Sequence, residues 1–251
     1  MTQAGSYLRI ENLAVGASDT DRSFRLELKH LEISAGDVIG VSGPSGTGKT
    51  MLLEALGLLR RPEPGSSYGI QRADETVDID AMWGDRNARN DAPALRGRLF
   101  GFVPQSGGLL PFLSVSENIA VSQRIAGRVD PTWQETLEVK LGLDKLRRLK
   151  PQALSIGQRQ RVAIARGLAH RPAFVIADEP TAALDPENAM TVLKLFMEAA
   201  QVGNAAVVIS SHDLGLLDQF AMRRLRLKLA PTGNPHAVLS QVQEVAHEAV
   251  V

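Results

Sequence analysis

The stretch Gly43-Pro44-Ser45-Gly46-Thr47-Gly48-Lys49-Thr50 constrains the fold more than any other, because it meets G-x-x-x-x-G-K-[ST] at every fixed position. Before it, Val38-Ile39-Gly40-Val41-Ser42 is apolar and β-branched and reads as a buried strand; after it, Met51 to Leu56 reads as a helix. Strand, glycine loop and helix in that order make an anion site. Backbone N–H groups turn inward as a nest, and the helix adds the positive end of its dipole. The expected ligand is the phosphate chain of a nucleoside triphosphate. Lys49 would reach the β- and γ-phosphates as a mobile point charge, and the Thr50 hydroxyl would ligate a Mg2+ that bridges them.

A chain of 251 residues, 44% apolar, suffices for one large α/β core with a small subdomain, and so for one nucleotide site. Lys plus Arg and Asp plus Glu both total 28, which removes the global charge signature of a nucleic-acid binder. The absence of cysteine excludes disulfides, thiolate metal sites and a cysteine nucleophile. Met1 to Arg9 lacks the basic start and apolar core of a signal peptide. No run reaches the about 18 apolar residues of a spanning helix, so a membrane role is expected to go through a partner.

Along the chain, Tyr7 to Leu13 alternates like a first strand, a polar turn is expected from Gly16 to Ser23, and Phe24 to Ile33 suggests one or two more strands. Arg60 to Ser66 is a breaker cluster, Ser67 to Asp80 holds short alternating pieces, and residues 81 to 92 read as a polar surface excursion. Leu99 to Val103 is a strand stopped by Pro104, just before Gln105. Ser114-Val115-Ser116-Glu117 has capping-box spacing and opens a helical block from about Leu113 to His170, including helices over Trp133–Leu141 and Leu143–Leu149.

Ala173 to Ala177 is a continuous apolar run ending in Asp178-Glu179, as expected of a parallel strand with carboxylates at its C-terminal edge. One acid there can hold Mg2+ while its neighbour orients and deprotonates the attacking water. Asp185-Pro186 reads as an N-cap and first helical residue of a helix through about Gln201. Ala205 to Ile209 is a further buried strand, followed by Ser210-Ser211-His212-Asp213. Met222 to Leu229 alternates like a last strand, and Ala237 to Val251 is left open as a strand or a short helix.

Together these motifs give a specific resemblance: over about residues 7 to 228 the chain resembles the nucleotide-binding subunit of an ABC transporter. Leu154-Ser155-Ile156-Gly157-Gln158 is similar to the family signature LSGGQ. Ala177 to Thr181 matches the Walker B motif, Ala182 to Asp185 the D-loop, Gln105 the Q-loop and His212 the switch histidine. The implied fold is an α/β P-loop NTPase cassette with a mixed β-sheet core, an antiparallel β subdomain and an inserted helical subdomain. The core and antiparallel subdomain would take residues 1–112 and 171–228, the helical subdomain 113–170 and the tail 229–251.

The resemblance implies an ATPase whose site is split between two chains packed head to tail, with Ser155, Gly157 and Gln158 facing the partner's ATP. It implies that Gly43 to Thr50 bind ATP, that Thr50, Asp178 and Gln105 attend the Mg2+, that Glu179 is the general base, that His212 contacts the γ-phosphate and that Asp185 communicates across the dimer. Two departures stand out. Ile156 replaces a glycine, where a β-branched residue forbids a positive φ. The turn Ala14-Val15-Gly16-Ala17-Ser18 lacks the aromatic that the family stacks on adenine, which predicts weak discrimination among bases.

Phe100 to Gln105 followed by Leu109 to Asn118 is similar to the pattern of the lipoprotein-releasing, MacB and FtsE-type group. That implies a membrane permease partner touching Leu109, Leu110, Pro111 and Phe112, and a place on the cytoplasmic face of the inner membrane. The alternatives are an ATPase of an amino-acid-type importer and a low-activity regulatory cassette. An ABC protein acting on DNA or ribosomes is disfavoured by the single cassette and the balanced charge.

Overall fold

The computed structural model describes residues 7–72, 75–85, 91–220 and 222–245. Its first half contains β1 (Tyr7–Ser18), β2 (Ser23–Ser34), β3 (Val38–Ser42), α1 (Lys49–Leu56), β4 (Ser67–Arg72), β5 (Glu75–Asp78), α2 (Ile79–Gly84), α3 (Ala92–Leu99) and β6 (Phe100–Val103). Then come α4 (Val115–Ile125), α5 (Pro131–Lys140), α6 (Ile156–Leu168), β7 (Phe174–Asp178), α7 (Pro186–Gln201), β8 (Ala206–Ser210), α8 (Leu214–Asp218), β9 (Arg223–Ala230) and β10 (Ala237–Val245).

The strands form one sheet in the order β5-β4-β1-β2-β10-β9-β3-β8-β7-β6. From β9 to β6 the neighbours run parallel, and from β2 to β5 they run antiparallel. β3, β7 and β8 are buried at every position, which explains why their sequences read as unbroken apolar runs. Alternation survives in where the side chains go. Phe174, Ile176, Ala206 and Val208 join α1 on one face, while Val175, Ala177, Val207 and Ile209 join α6 and α7 on the other. Each buried Val, Ile or Phe contributes about 1.5–3 kcal/mol through lost apolar exposure, so the sheet is clamped from both sides with its C-terminal edge left for loops.

Local signals placed several elements correctly. Ser114 and Glu117 close a capping box on α4, and Asp185 caps α7 by accepting from the Asn188 N–H at 3.0 Å. Against α6, β6 comes so near that a Cβ on Gly101 would overlap the Gly167 carbonyl, so only glycine permits this crossing.

Three expectations are corrected, and one left open is decided. The first hairpin is longer: β1 continues to Ser18 and the turn shrinks to residues 19–22, where the Asp19 carboxylate accepts from the N–H groups of Asp21 and Arg22 at 2.9 and 2.7 Å. The excursion expected over 81–92 begins inside α2, which Asp78 caps; its residues 86–90 lie outside the described residues. Between Leu143 and Leu149 only a single 3-10 turn forms, at Asp144–Leu146. The tail, left open between strand and helix, is strand β10 as far as Val245, wedged between β2 and β9; residues 246–251 lie outside the described residues.

Candidate functional site

The loop from β3 to α1 ends at Gly48, which has a φ of +91° and is the N-cap of α1 without any side-chain cap. A Cβ there would stand 2.8 Å from the Phe24 ring. Glycine is therefore required twice over, by backbone conformation and by space. The uncapped start leaves the first N–H groups of α1 pointing at the loop's concave side, where an anion is stabilised by them and by the helix dipole. Lys49 is buried, and its Nζ donates to the carbonyls of Gly43 and Pro44 at 2.9 and 3.3 Å. Two of its three N–H bonds brace the loop, and the third remains for a phosphate oxygen. Beneath the loop, Thr47 is fully buried and donates to the Pro44 carbonyl at 2.8 Å.

Across the sheet edge, Thr50 Oγ1 donates to Asp178 Oδ2 at 2.7 Å, joining the start of α1 to the end of β7. A hydroxyl and a carboxylate are hard oxygen donors and suit Mg2+, which takes one or two protein oxygens and completes its shell with water and phosphate. Among the described residues no cluster of three His, Cys, Asp or Glu forms an all-protein cage, as such an ion requires none.

Glu179 follows Asp178 with a φ of +46°, in the left-handed region. Both carboxylate oxygens are engaged. Gln105 Nε2 donates to Oε2 at 3.1 Å, and His212 Nε2 lies 2.6 Å from Oε1. Gln105, from the end of β6, and His212, from the end of β8, thus converge with β7 on one carboxylate.

These groups line an open cleft of about 470 Å³ bounded by Ser45, Gly46, Gly48, Lys49, Thr50, Gln105, Glu179 and His212. Of the other expected site residues, Thr47 and Asp178 are buried, and Gly43 and Pro44 stand in the loop outside the cleft lining. Ser155, Gly157 and Gln158 are not in its wall, because α6 packs on the sheet face opposite α1. There Ser155 and Gln158 close a capping box: Ser155 Oγ accepts from Gln158 N at 3.2 Å, and Gln158 Oε1 accepts from Ser155 N at 2.9 Å. Ile156 is the first helical residue, 65% exposed and without a positive φ, so the strain expected of a β-branched residue is absent. At the D-loop, Asp185 is held below the usual carboxylate range by the N–H and side-chain amide of Asn188.

The turn Ala14–Ser18 carries no aromatic, but one from the next strand reaches the cleft. Phe24 lies on β2 as its pattern indicated, yet it pairs with Ala17 across the first hairpin, and its ring reaches the cleft beside Gly48. Sequence reading missed three supporting hydroxyl or amide groups. Ser210 Oγ touches both acids at the end of β7. Ser240, buried on β10, donates to the Thr47 carbonyl at 2.7 Å and so braces the phosphate loop from the tail. Asn118, buried on α4, ties down the segment after Gln105 through Leu110, Leu113 and Ser114. Within that segment Leu109 packs on the core and Phe112 is 67% exposed. Ser210 and Ser240 were signalled only as polar residues beside apolar ones, whereas Asn118 stood within the quoted Leu109–Asn118 pattern without a role being read from it.

A phosphate loop at one strand end, with a Walker-type acid pair, a glutamine and a histidine at three others, defines an ATP-hydrolysing cassette of the P-loop type. The ABC transporter family pattern matches residues 26–182, and the chain belongs to that family as an ATP-binding, ATP-hydrolysing subunit. It is similar to the lipoprotein-releasing system ATP-binding protein LolD of Maricaulis maris, 40% identical over 186 residues that cover 73% of this chain and 77% of that protein. LolD of Idiomarina loihiensis is 38% identical over 193 residues, covering 74% and 79%. In structure it is similar to the dimeric bacterial ABC transporter cassette MJ0796, with a TM-score of 0.76 at 26% identity, over 87% of this chain and 93% of that one. The MJ0796 dimer in a post-hydrolysis state, bound to ADP and Pi, gives a TM-score of 0.74 at the same identity and coverage.

Proposed function

We propose that this chain is the ATPase motor of a lipoprotein-release-type ABC system, working as a head-to-tail homodimer beneath a membrane permease. The observation that carries the catalytic part is the meeting of Gln105, Glu179 and His212, from three strand ends, at the mouth of the phosphate-loop cleft. The subtype is supported by relatives named LolD, and the dimer by the dimeric cassettes it resembles.

In this reading the nest of loop N–H groups and Lys49 bind the β- and γ-phosphates. Thr50 and Asp178, with Gln105 nearby, would hold a Mg2+ that neutralises charge between those phosphates. Glu179 accepts a proton from a water as its oxygen bonds to the γ-phosphorus and the bridge to the β-phosphate breaks. His212 and Gln105 position that carboxylate and then the γ-phosphate. Phe24 offers the flat apolar surface for the base. Ser155, Gly157 and the start of α6 face the ATP of the second chain, and Asp185 reports across the interface. Residues 113–170 move as a helical subdomain, and Phe112, on the loop pinned by Asn118, meets the permease at the cytoplasmic face of the inner membrane. No described helix is long and apolar enough to cross a membrane, so attachment goes through that partner.

The test is the size of purified Glu179→Gln protein in solution with and without ATP and Mg2+. Removing the base traps the ATP-bound pair, so a shift from monomer to dimer is expected. A chain that binds ATP yet stays monomeric at all concentrations would overturn the two-chain site.

A further inference from the structure

We infer that Ser210 is a positioning residue that sets both acids at the end of β7, an inference resting on the roles given above to Asp178 and Glu179. Ser210 ends β8 directly across from Asp178 in the parallel register and is fully buried. Its Oγ donates to Asp178 Oδ1 at 2.6 Å and accepts from the Glu179 N–H at 2.9 Å. One side chain therefore touches the acid on the phosphate side and the backbone of the base.

The consequences differ for the two acids. For Asp178, Thr50 holds Oδ2 at 2.7 Å while Ser210 holds Oδ1, so the carboxylate plane is set from two sides. For Glu179, the backbone sits at a φ of +46°, a conformation that a non-glycine residue keeps only where its surroundings hold it. The bond from its N–H to Ser210 is such a hold, and it aims the side chain at Gln105 and His212. The adjacent Ser211 cannot substitute: its Oγ accepts from the Asp213 N–H at 3.0 Å, within its own turn. An aliphatic residue at 210 would strip a partner from a buried carboxylate oxygen and from a strained N–H at once.

The experiment compares full-length wild type with Ser210→Ala, Ser210→Val, Ser210→Thr and Glu179→Gln. Valine and threonine share a shape, so the difference between those two variants reads the hydroxyl alone, and Ser210→Ala adds no bulk should the larger variants pack badly. Steady-state hydrolysis is measured together with binding of a fluorescent ATP analogue as Mg2+ is varied. Ser210→Ala and Ser210→Val are expected to lose about tenfold or more in kcat, with KM for ATP at saturating Mg2+ within about twofold. Their Mg2+ requirement for analogue binding should rise about threefold or more, and Ser210→Thr should return both quantities to within about threefold of wild type. Equal kcat and equal Mg2+ requirement in Ser210→Val and Ser210→Thr, or wild-type values in Ser210→Ala, would overturn the inference. Wild-type turnover by Glu179→Gln would instead overturn the role of the base; the Mg2+ readout tells the two failures apart because it needs no turnover.

Discussion

Two helices of this molecule begin at motifs expected to meet phosphate, and they begin in opposite ways. α1 starts at Gly48 with no side-chain cap, and no acidic residue stands in its first turn. α6 starts at Ser155, whose hydroxyl and the Gln158 amide satisfy each other's backbone N–H. The first is left open, so an anion can complete it; the second has two of its N–H groups satisfied before anything binds. The difference is one of energy as well as geometry. An unsatisfied helix start costs stability that a phosphate restores on binding, whereas a capped start stabilises the free chain by about 1 kcal/mol. In the proposed reading a single chain therefore holds the phosphates at the open start of α1, while the start of α6 is shaped by its own side chains.

The contrast breaks most severely at Gly48. Gly48→Ala forces a Cβ into a left-handed residue and against the Phe24 ring. It should lower stability by about 1–3 kcal/mol, read from denaturant unfolding, and weaken ATP-analogue binding about a hundredfold. Unchanged binding would show that the loop does not need its glycine cap.

Phe24→Ala tests the other wall of the same cleft. Losing one aromatic face should reduce ATP affinity about threefold to tenfold, and CTP should then compete as well as ATP does. Wild-type chain that already fails to distinguish CTP from ATP would mean that the ring does not stack on the base. The smallest effect is expected at the closed helix. Ser155→Ala should cost about 1 kcal/mol of stability in thermal melts while nucleotide binding by the monomer stays within twofold; a large loss of monomer binding would place the signature loop in its own chain's site.

How much of this was legible depended on how far apart in the chain the cooperating residues lie. The phosphate loop, the Asp185 cap and the capping box at Ser114 follow from residues within a turn of one another, and the structure has each where the pattern put it; the second capping box, at Ser155, has the same local spacing but was not read from it. Phe24 was visible as an apolar strand residue but not as a cleft wall. Its role depends on the register Ala17↔Phe24 and on where β2 stands relative to β3, and neither has a local signature. Ser240 was hidden in a tail whose helix or strand state was ambiguous from periodicity; only pairing between β2 and β9 makes it a strand and brings its hydroxyl to Thr47.

Sequence alone, then, pointed to the chemistry: Lys49, Thr50, Asp178 and Glu179 are named by type, order and spacing, because a loop's N–H groups and a strand's terminal acids act through local backbone geometry, and Gln105 and His212 are named by resemblance to the family. Tertiary structure alone decided how those groups are held. Asp178 and Ser210 are separated by 32 residues and meet only because β7 and β8 pair in one particular parallel register. Register is chosen by burial summed over both faces of the sheet, a property of the whole core that no short stretch of sequence contains.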